Sequence, residues 1–212
     1  VETATAVRWA GALDGEGFPL GEAWQEAPGL AFAWDWRGEN ADPERETEVR
    51  LLWRPATLFL RFCCRFRVLT TFTDSQADGR RYGLWDRDVA EVFLQPDLSL
   101  PRSYWEFEVA PNGKWIDLDI ALGEKPPGHK GDPRSGIKVR TQVAEAKKVW
   151  TADMALPMRT LTAEFDAAAV WRTNFFRVEG RAEPRFYSCW QPTKTPRPDF
   201  HVPQAFGELR FR

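Results

Sequence analysis

The stretch YWEFEVAPNGKWIDLDI, from Tyr104 to Ile120, decides the fold class. Apolar and polar residues alternate on both sides of Asn112-Gly113, and Asn-Gly between two alternating runs is a strong β-hairpin signal. A two-residue loop pairs Val109 with Ile116, Phe107 with Leu118 and Trp105 with Ile120; a four-residue loop, Pro111 to Lys114, keeps the same pairs. A three-residue loop sets Glu108 against Ile116 and mixes the faces, so it is not the expected one. In the expected register Glu108 lies opposite Asp117, and Glu106 opposite Asp119. Like charges directly opposite one another destabilise a sheet, so something positive is expected over this patch. The cationic stripe Arg61, Arg65 and Arg67 is the first expectation. A structural calcium ion, which favours several carboxylate oxygens, is the second.

The same period-2 pattern extends outward from the hairpin. Strands are expected at Glu48–Trp53, Thr57–Arg67, Val89–Leu94, Tyr104–Val109, Trp115–Ile120, Lys138–Val143, Val149–Ala155, Thr173–Glu179, Arg185–Trp190 and Glu208–Phe211. Gly, Pro and Asp clusters separate them, which is the pattern of an antiparallel β-sandwich. Helical periodicity is scarce: Thr162 to Trp171 is the one candidate, and it reads equally as a loop. Gly123–Gly136 and Gln191–Pro203 read as long ordered loops, since strands resume after each. A length of 212 residues is near the upper end for one sandwich, and residues 1–212 are expected to form a single domain.

Eleven tryptophans exceed what one core comfortably buries, because a desolvated indole N–H needs a partner. Some are therefore expected at the surface, stacked on a sugar ring, a nucleobase or a partner protein. A net charge of -2 disfavours nucleic acid and anionic membrane. No run approaches the ~20 apolar residues that span a bilayer. The chain opens on Val1, and a removed leader with a secreted, periplasmic or cell-surface location is the expectation. Within Leu58–Arg67 the alternation turns Cys64 to the core and Cys63 to the surface. Cys64 and Cys189 are left as either a disulfide or free thiols.

The run Leu84-Trp85-Asp86-Arg87-Asp88-Val89-Ala90-Glu91-Val92-Phe93-Leu94 resembles the W-x-x-D-x-x-E-V/F-F core of family 9 carbohydrate-binding modules. Leu13-Asp14-Gly15 with Trp24 resembles the family's N-terminal "DG…W" segment. Thr47–Trp53 with Leu58–Phe62 resembles its first hairpin. Asn174-Phe175-Phe176-Arg177, Cys189-Trp190-Gln191-Pro192-Thr193 and Phe200-His201-Val202-Pro203 resemble its closing half. The resemblance covers nearly the whole chain. It implies an immunoglobulin-like, DOMON-like β-sandwich that binds a mono-, oligo- or polysaccharide without catalysis, needs no cofactor, and fits within a larger carbohydrate-active protein. It also implies a sugar clamped between two tryptophans, with Trp85 as the first, Trp190 as the second and Glu91 as the carboxylate that accepts from its hydroxyls. Two departures stand out. The arginine that sugar-binding members carry on the strand after the "EVF" strand is replaced by Glu106 and Glu108, and the asparagine before the second tryptophan by Tyr187-Ser188-Cys189.

The residues themselves support part of this. Trp85 sits between Gly83 and the charged pair Asp86 and Arg87, a poor setting for a core residue. Glu91 alternates with the apolar set Ala90, Val92 and Leu94 and so falls on the opposite face, with a cross-strand ion pair as its plainer role. Arg81 and Arg87 flank Trp85 and are candidates to reach sugar hydroxyls, as are Asn174 and Arg177 in the family-like segment.

Three other functions compete with this reading. The alternative is a b-type haem domain, drawing axial ligands from Met154, Met158, His129 and His201. A glycosidase needs two carboxylates at defined separation, and none here stands in a catalytic motif. Tryptophans that dock a protein would keep the same fold.

Overall fold

The computed structural model describes residues 2–122 and 134–212. The fold is all-β, and the described residues form twelve strands: β1 (Thr3–Arg8), β2 (Leu30–Phe32), β3 (Thr47–Arg54), β4 (Thr57–Arg65), β5 (Val89–Gln95), β6 (Ser103–Val109), β7 (Trp115–Ala121), β8 (Lys138–Ala144), β9 (Val149–Pro157), β10 (Trp171–Glu179), β11 (Phe186–Cys189) and β12 (Gly207–Phe211). The ten expected strands are all present. The candidate helix after Thr162 is a loop, and a single helical turn, Met158–Leu161, precedes it.

The strands form one path, β7-β6-β5-β10-β12-β1-β3-β4-β9-β8, with β11 added to β10 and β2 to β3. Where two separate sheets of a sandwich are expected, β1 pairs in parallel with both β12 and β3 and joins the halves into one nearly barrel-shaped sheet. Strand β1 has a quiet sequence, TATAVR, whose buried positions are only Ala4 and Ala6. Small side chains let it thread between neighbours, and they leave little hydrophobic signal to read.

The sheet encloses a core built from both halves. Leu60, Phe62, Trp150 and Met154 from one side meet Val92, Phe107, Phe175 and Trp190 from the other, with Phe62 and Phe175 edge to face at 6.2 Å. Cys64 is in this core and Cys63 faces outward. Cys189 belongs to a separate cluster on the far side of β11, and both thiols are free, which settles the choice left open by the sequence.

The hairpin register differs from the expected one. Val109 pairs with Trp115, Phe107 with Asp117 and Glu108 with Ile116. Gly113 has φ 80°, and its N–H donates to the carbonyl of Ala110 while the Ala110 N–H donates to that of Lys114. This is a three-residue loop, a type I turn closed by a left-handed glycine, and it shifts β7 by one residue. Asp117 and Asp119 therefore leave the face that carries Glu106 and Glu108. Asp117 is fully buried and held by Arg80, 2.8 Å away, and by the Ser135 N–H. The mixing of faces is tolerated because Ile116, Leu118 and Ile120, now beside the two glutamates, are covered by a further layer.

Candidate functional site

That layer makes the site. The face of β5, β6, β7 and β10 that looks away from the central core carries Glu91, Phe93, Tyr104, Glu106, Glu108, Ile116, Leu118, Phe176 and Val178. Residues 191–203 fold back over it. Phe200 stacks on Phe176 at 4.3 Å, and the His201 ring lies 5.3 Å from that of Phe93. Tyr104 Oη and His201 Nδ1 are 2.6 Å apart. Burial raises the Tyr104 phenol well above its ordinary pKa, so it stays protonated, and the His201 tautomer sets which of the two donates. Asn174 anchors the start of the returning segment: its amide accepts from the N–H of Gln191 and donates to the Gln191 carbonyl.

On the opposite rim, Gly83 (φ 73°) turns the chain into a short turn, Leu84–Asp86. Leu84 is buried beneath it and Trp85 is left half-buried above. Tyr82 packs edge-on against Trp85 at 5.1 Å. Arg185 ties this rim to β11, donating from Nη1 to the Trp85 carbonyl at 2.8 Å while its guanidinium lies 4.9 Å from the Tyr187 ring.

Between the rims is a pocket of about 310 Å³, at the small end of the range for small-molecule sites. Trp85, Tyr187 and Phe200 form its walls, Arg185, Asp199 and His201 its polar rim, and Glu91, Glu106 and Glu108 its floor. A wider hollow of about 640 Å³ lies between the end strands β7 and β8, but nearly half of its lining is charged, Asp78, Lys138 and Arg140 included.

The floor is the unusual part. Glu91 lies directly opposite Glu108 across β5 and β6, and Glu106 lies two residues along the same face. All three are at least 97% buried. Burial first, and the neighbouring carboxylates second, push Glu91 and Glu108 well above the ordinary carboxylate range; burial raises Glu106 as well. Two groups temper this, Arg185 near Glu91 and His201 near Glu106.

The sequence-derived candidates divide sharply. Trp85 and Glu91 line the pocket. Trp190, expected as the second clamp, is 2% exposed and packs on Phe175 at 5.6 Å in the central core. Alternation along β11 does place Cys189 and Trp190 on opposite faces, but both faces are covered. Arg177 is fully buried on the core side, beside Glu179 (3.3 Å) and Asp88 (3.7 Å), with its guanidinium 5.2 Å from the Trp150 ring. Asn174 supports the pocket without lining it. Arg81 and Arg87 both lie over Phe72, at 3.2 and 4.5 Å, and border a neighbouring groove. The stripe expected over Glu106 and Glu108 is elsewhere: Arg61 pairs with Asp153, and Arg67 with Asp42 and Glu44.

Tyr82, Arg185, Tyr187, Asp199 and His201 also line the pocket, beyond the positions that the sequence points to. Tyr187 alternates with Cys189 along β11 and carried a readable signal; the others sit in irregular segments whose placement is tertiary. Of the haem-ligand candidates, Met154 and Met158 are in the central core, His201 is in the pocket, and His129 lies outside the described residues. No axial pair converges among the described residues.

Residues 137–211 match the model of carbohydrate-binding family 9. The fold agrees over the whole chain. A crystal structure of a candidate carbohydrate-binding protein from Bacteroides uniformis superposes with a TM-score of 0.77 at 16% identity, covering 100% of this chain and 99% of that one. A family 9 module from Caldicellulosiruptor kristjanssonii in complex with cellotriose gives 0.69 at 14% identity, covering 100% and 94%. The glucose complex from that organism gives 0.67 at 14% identity, covering 100% and 96%. These observations define a family-9-like domain. Among curated proteins, one named an extracellular protein, from Arthroderma benhamiae, is 26% identical over 182 residues, 80% of each chain.

Proposed function

We propose that this protein binds carbohydrate in the pocket between Trp85 and residues 198–201 and does so without catalysis. One observation carries the reading: a half-buried indole and a ring of hydrogen-bonding groups converge on one small cavity, on a fold whose solved relatives hold cellotriose and glucose. The C–H face of a pyranose suits the Trp85 indole, and Tyr187 or Phe200 supplies the opposing aromatic wall that Trp190 does not. Arg185 and His201 offer donors to hydroxyl oxygens, while Asp199 and the floor carboxylates accept. A cavity of about 310 Å³ favours a short saccharide or the end of a chain. Family 9 modules are non-catalytic, which supports binding alone. The extracellular relative supports an extracellular role, and no helix among the described residues is long and apolar enough to cross a membrane.

A glycan array paired with tryptophan fluorescence tests the proposal. A hit is expected, with quenching or a spectral shift that Trp85→Ala abolishes while the melting temperature moves by less than about 3 °C, as for a substitution outside the core. An array without a hit, together with unchanged fluorescence in glucose and cellotriose, overturns it.

A further inference from the structure

The floor of the pocket places three buried glutamates in an arrangement that neither the family resemblance nor the strand pattern accounts for. Glu91, Glu106 and Glu108 each bring a carboxylate oxygen to within 4.8 Å of the other two, and they form the one such cluster among the described residues. When all three are ionised, Glu106 Oε2 and both oxygens of Glu108 are buried without a hydrogen-bond donor. The cationic side chains nearby are committed elsewhere. Arg185 bonds Glu183 and the Trp85 carbonyl, Arg177 lies on the core side with Asp88 and Glu179, and among the described residues no ion pair to Arg or Lys holds any of the three glutamates. Buried carboxylates without a partner cost several kcal/mol, and two of these lie directly opposite one another in the sheet.

We infer that Glu91, Glu106 and Glu108 hold a hard divalent cation, calcium by preference, at the floor of the pocket. The donor set is all oxygen, which suits Ca²⁺, Mg²⁺ or Mn²⁺ rather than Zn²⁺ or copper. Ligand number selects among these. Ca²⁺ takes several carboxylate oxygens in a flexible shell, whereas Mg²⁺ demands a near-ideal octahedron, keeps most of its waters and is usually held by only one or two carboxylates. Three carboxylate oxygens within 4.8 Å of one another match the calcium pattern. Three protein oxygens leave several of its 6–8 positions open. Those positions face the cavity, where water or vicinal hydroxyls complete the shell. This last role rests on the carbohydrate reading; the cation site itself does not.

Calcium alone is the first probe. The full chain, stripped with chelator, is titrated with CaCl₂ in a calorimeter without sugar. One saturable site per molecule is expected, with Mg²⁺ at least 10-fold weaker. Glu108→Gln and Glu91→Gln, near-isosteric changes checked for folding by circular dichroism, each weaken calcium at least 10-fold. Absence of saturable Ca²⁺, Mg²⁺ or Mn²⁺ binding up to about 10 mM, beyond the 0.1–1 mM range of weak extracellular calcium modules, overturns the site, and a shared proton then neutralises Glu106 and Glu108. Calcium binding indifferent to both substitutions also overturns it. A second arm repeats the sugar titration in chelator and in calcium, with affinity expected to fall at least 10-fold in chelator. Calcium binding without any sugar response leaves the cation site standing and removes only the carbohydrate reading.

Discussion

Two outward-looking faces of the same sheet carry buried carboxylates and treat them in opposite ways. On β4, β8 and β9, Asp153 lies directly opposite both Arg61 and Arg140, and its side chain is 4% exposed. Arg61 grips it through two nitrogens at 2.6 and 2.7 Å, Arg140 adds a third contact at 2.9 Å and also reaches Asp14, and the two guanidiniums lie over Trp24 and Phe18. Every charge there has a partner, so the face serves structure. On β5 and β6 the residues opposite are another glutamate and apolar side chains, so among the described residues Glu91, Glu106 and Glu108 are buried without an ion pair. A carboxylate cluster that the protein does not neutralise itself marks the place where something else does. Burial is common to both faces, and complementarity alone separates them.

The largest expected effect tests whether the two faces share one core. Trp190→Ala removes a large buried ring from that core and should cost about 3–5 kcal/mol, felt by both faces together in chemical denaturation. Loss of sugar binding at unchanged stability would instead place Trp190 at the pocket and break the comparison.

Next comes the paired face. Asp153→Ala strands two partly exposed arginines, a case between exposed and buried pairs, and should cost about 2 kcal/mol, or a fall of ~4–8 °C in melting temperature. On the pocket face the sign reverses. In chelator, Glu108→Gln relieves an unpartnered buried charge and should raise stability by about 1–3 kcal/mol, while in saturating calcium the same change should lower it. A destabilised Glu108→Gln in chelator would mean that the cluster is already neutralised from within.

The smallest effect is in the pH profile of the cation-free protein. Asp14 is held down from 3.8 to about 2 by the Phe18 N–H and Arg140, so its contribution is present above about pH 3.8 and lost as pH falls toward 2. The floor glutamates have raised folded values, so the folded chain keeps protons that the unfolded chain releases. Their contribution is favourable near pH 4.5 and declines as pH rises. Arg185 and His201 oppose this decline, while Asp86 and the mutual repulsion of the three add to it. Differential scanning calorimetry in chelator should therefore show a maximum near pH 4–5 that calcium flattens or moves upward.

Much of this was legible beforehand. Ten strands, the inward set Ala90, Val92 and Leu94, and the inward Cys64 follow from alternation, while Trp85 and Glu91, which line the pocket, were marked by the family resemblance and set off the core by local setting and alternation. The exceptions share one cause. Alternation says which residues share a face, and a family-like segment says which residues match, but neither says what covers a face, so Trp190 read as exposed when it faces the core, and Arg177, taken from the family-like segment, is locked behind β10.

The hairpin that decided the fold class shows the same division. Residues 104–120 determined by themselves that two strands meet at Asn112-Gly113, because only a tight turn satisfies two alternating runs so close together. They did not determine the register, since one left-handed glycine shifts every pair without changing the pattern. Tertiary structure decided that. Packing of residues 191–203 over the outer face repaid the mixing of glutamate with isoleucine and leucine, and so turned an expected row of opposed acids into a pocket with three carboxylates at its floor.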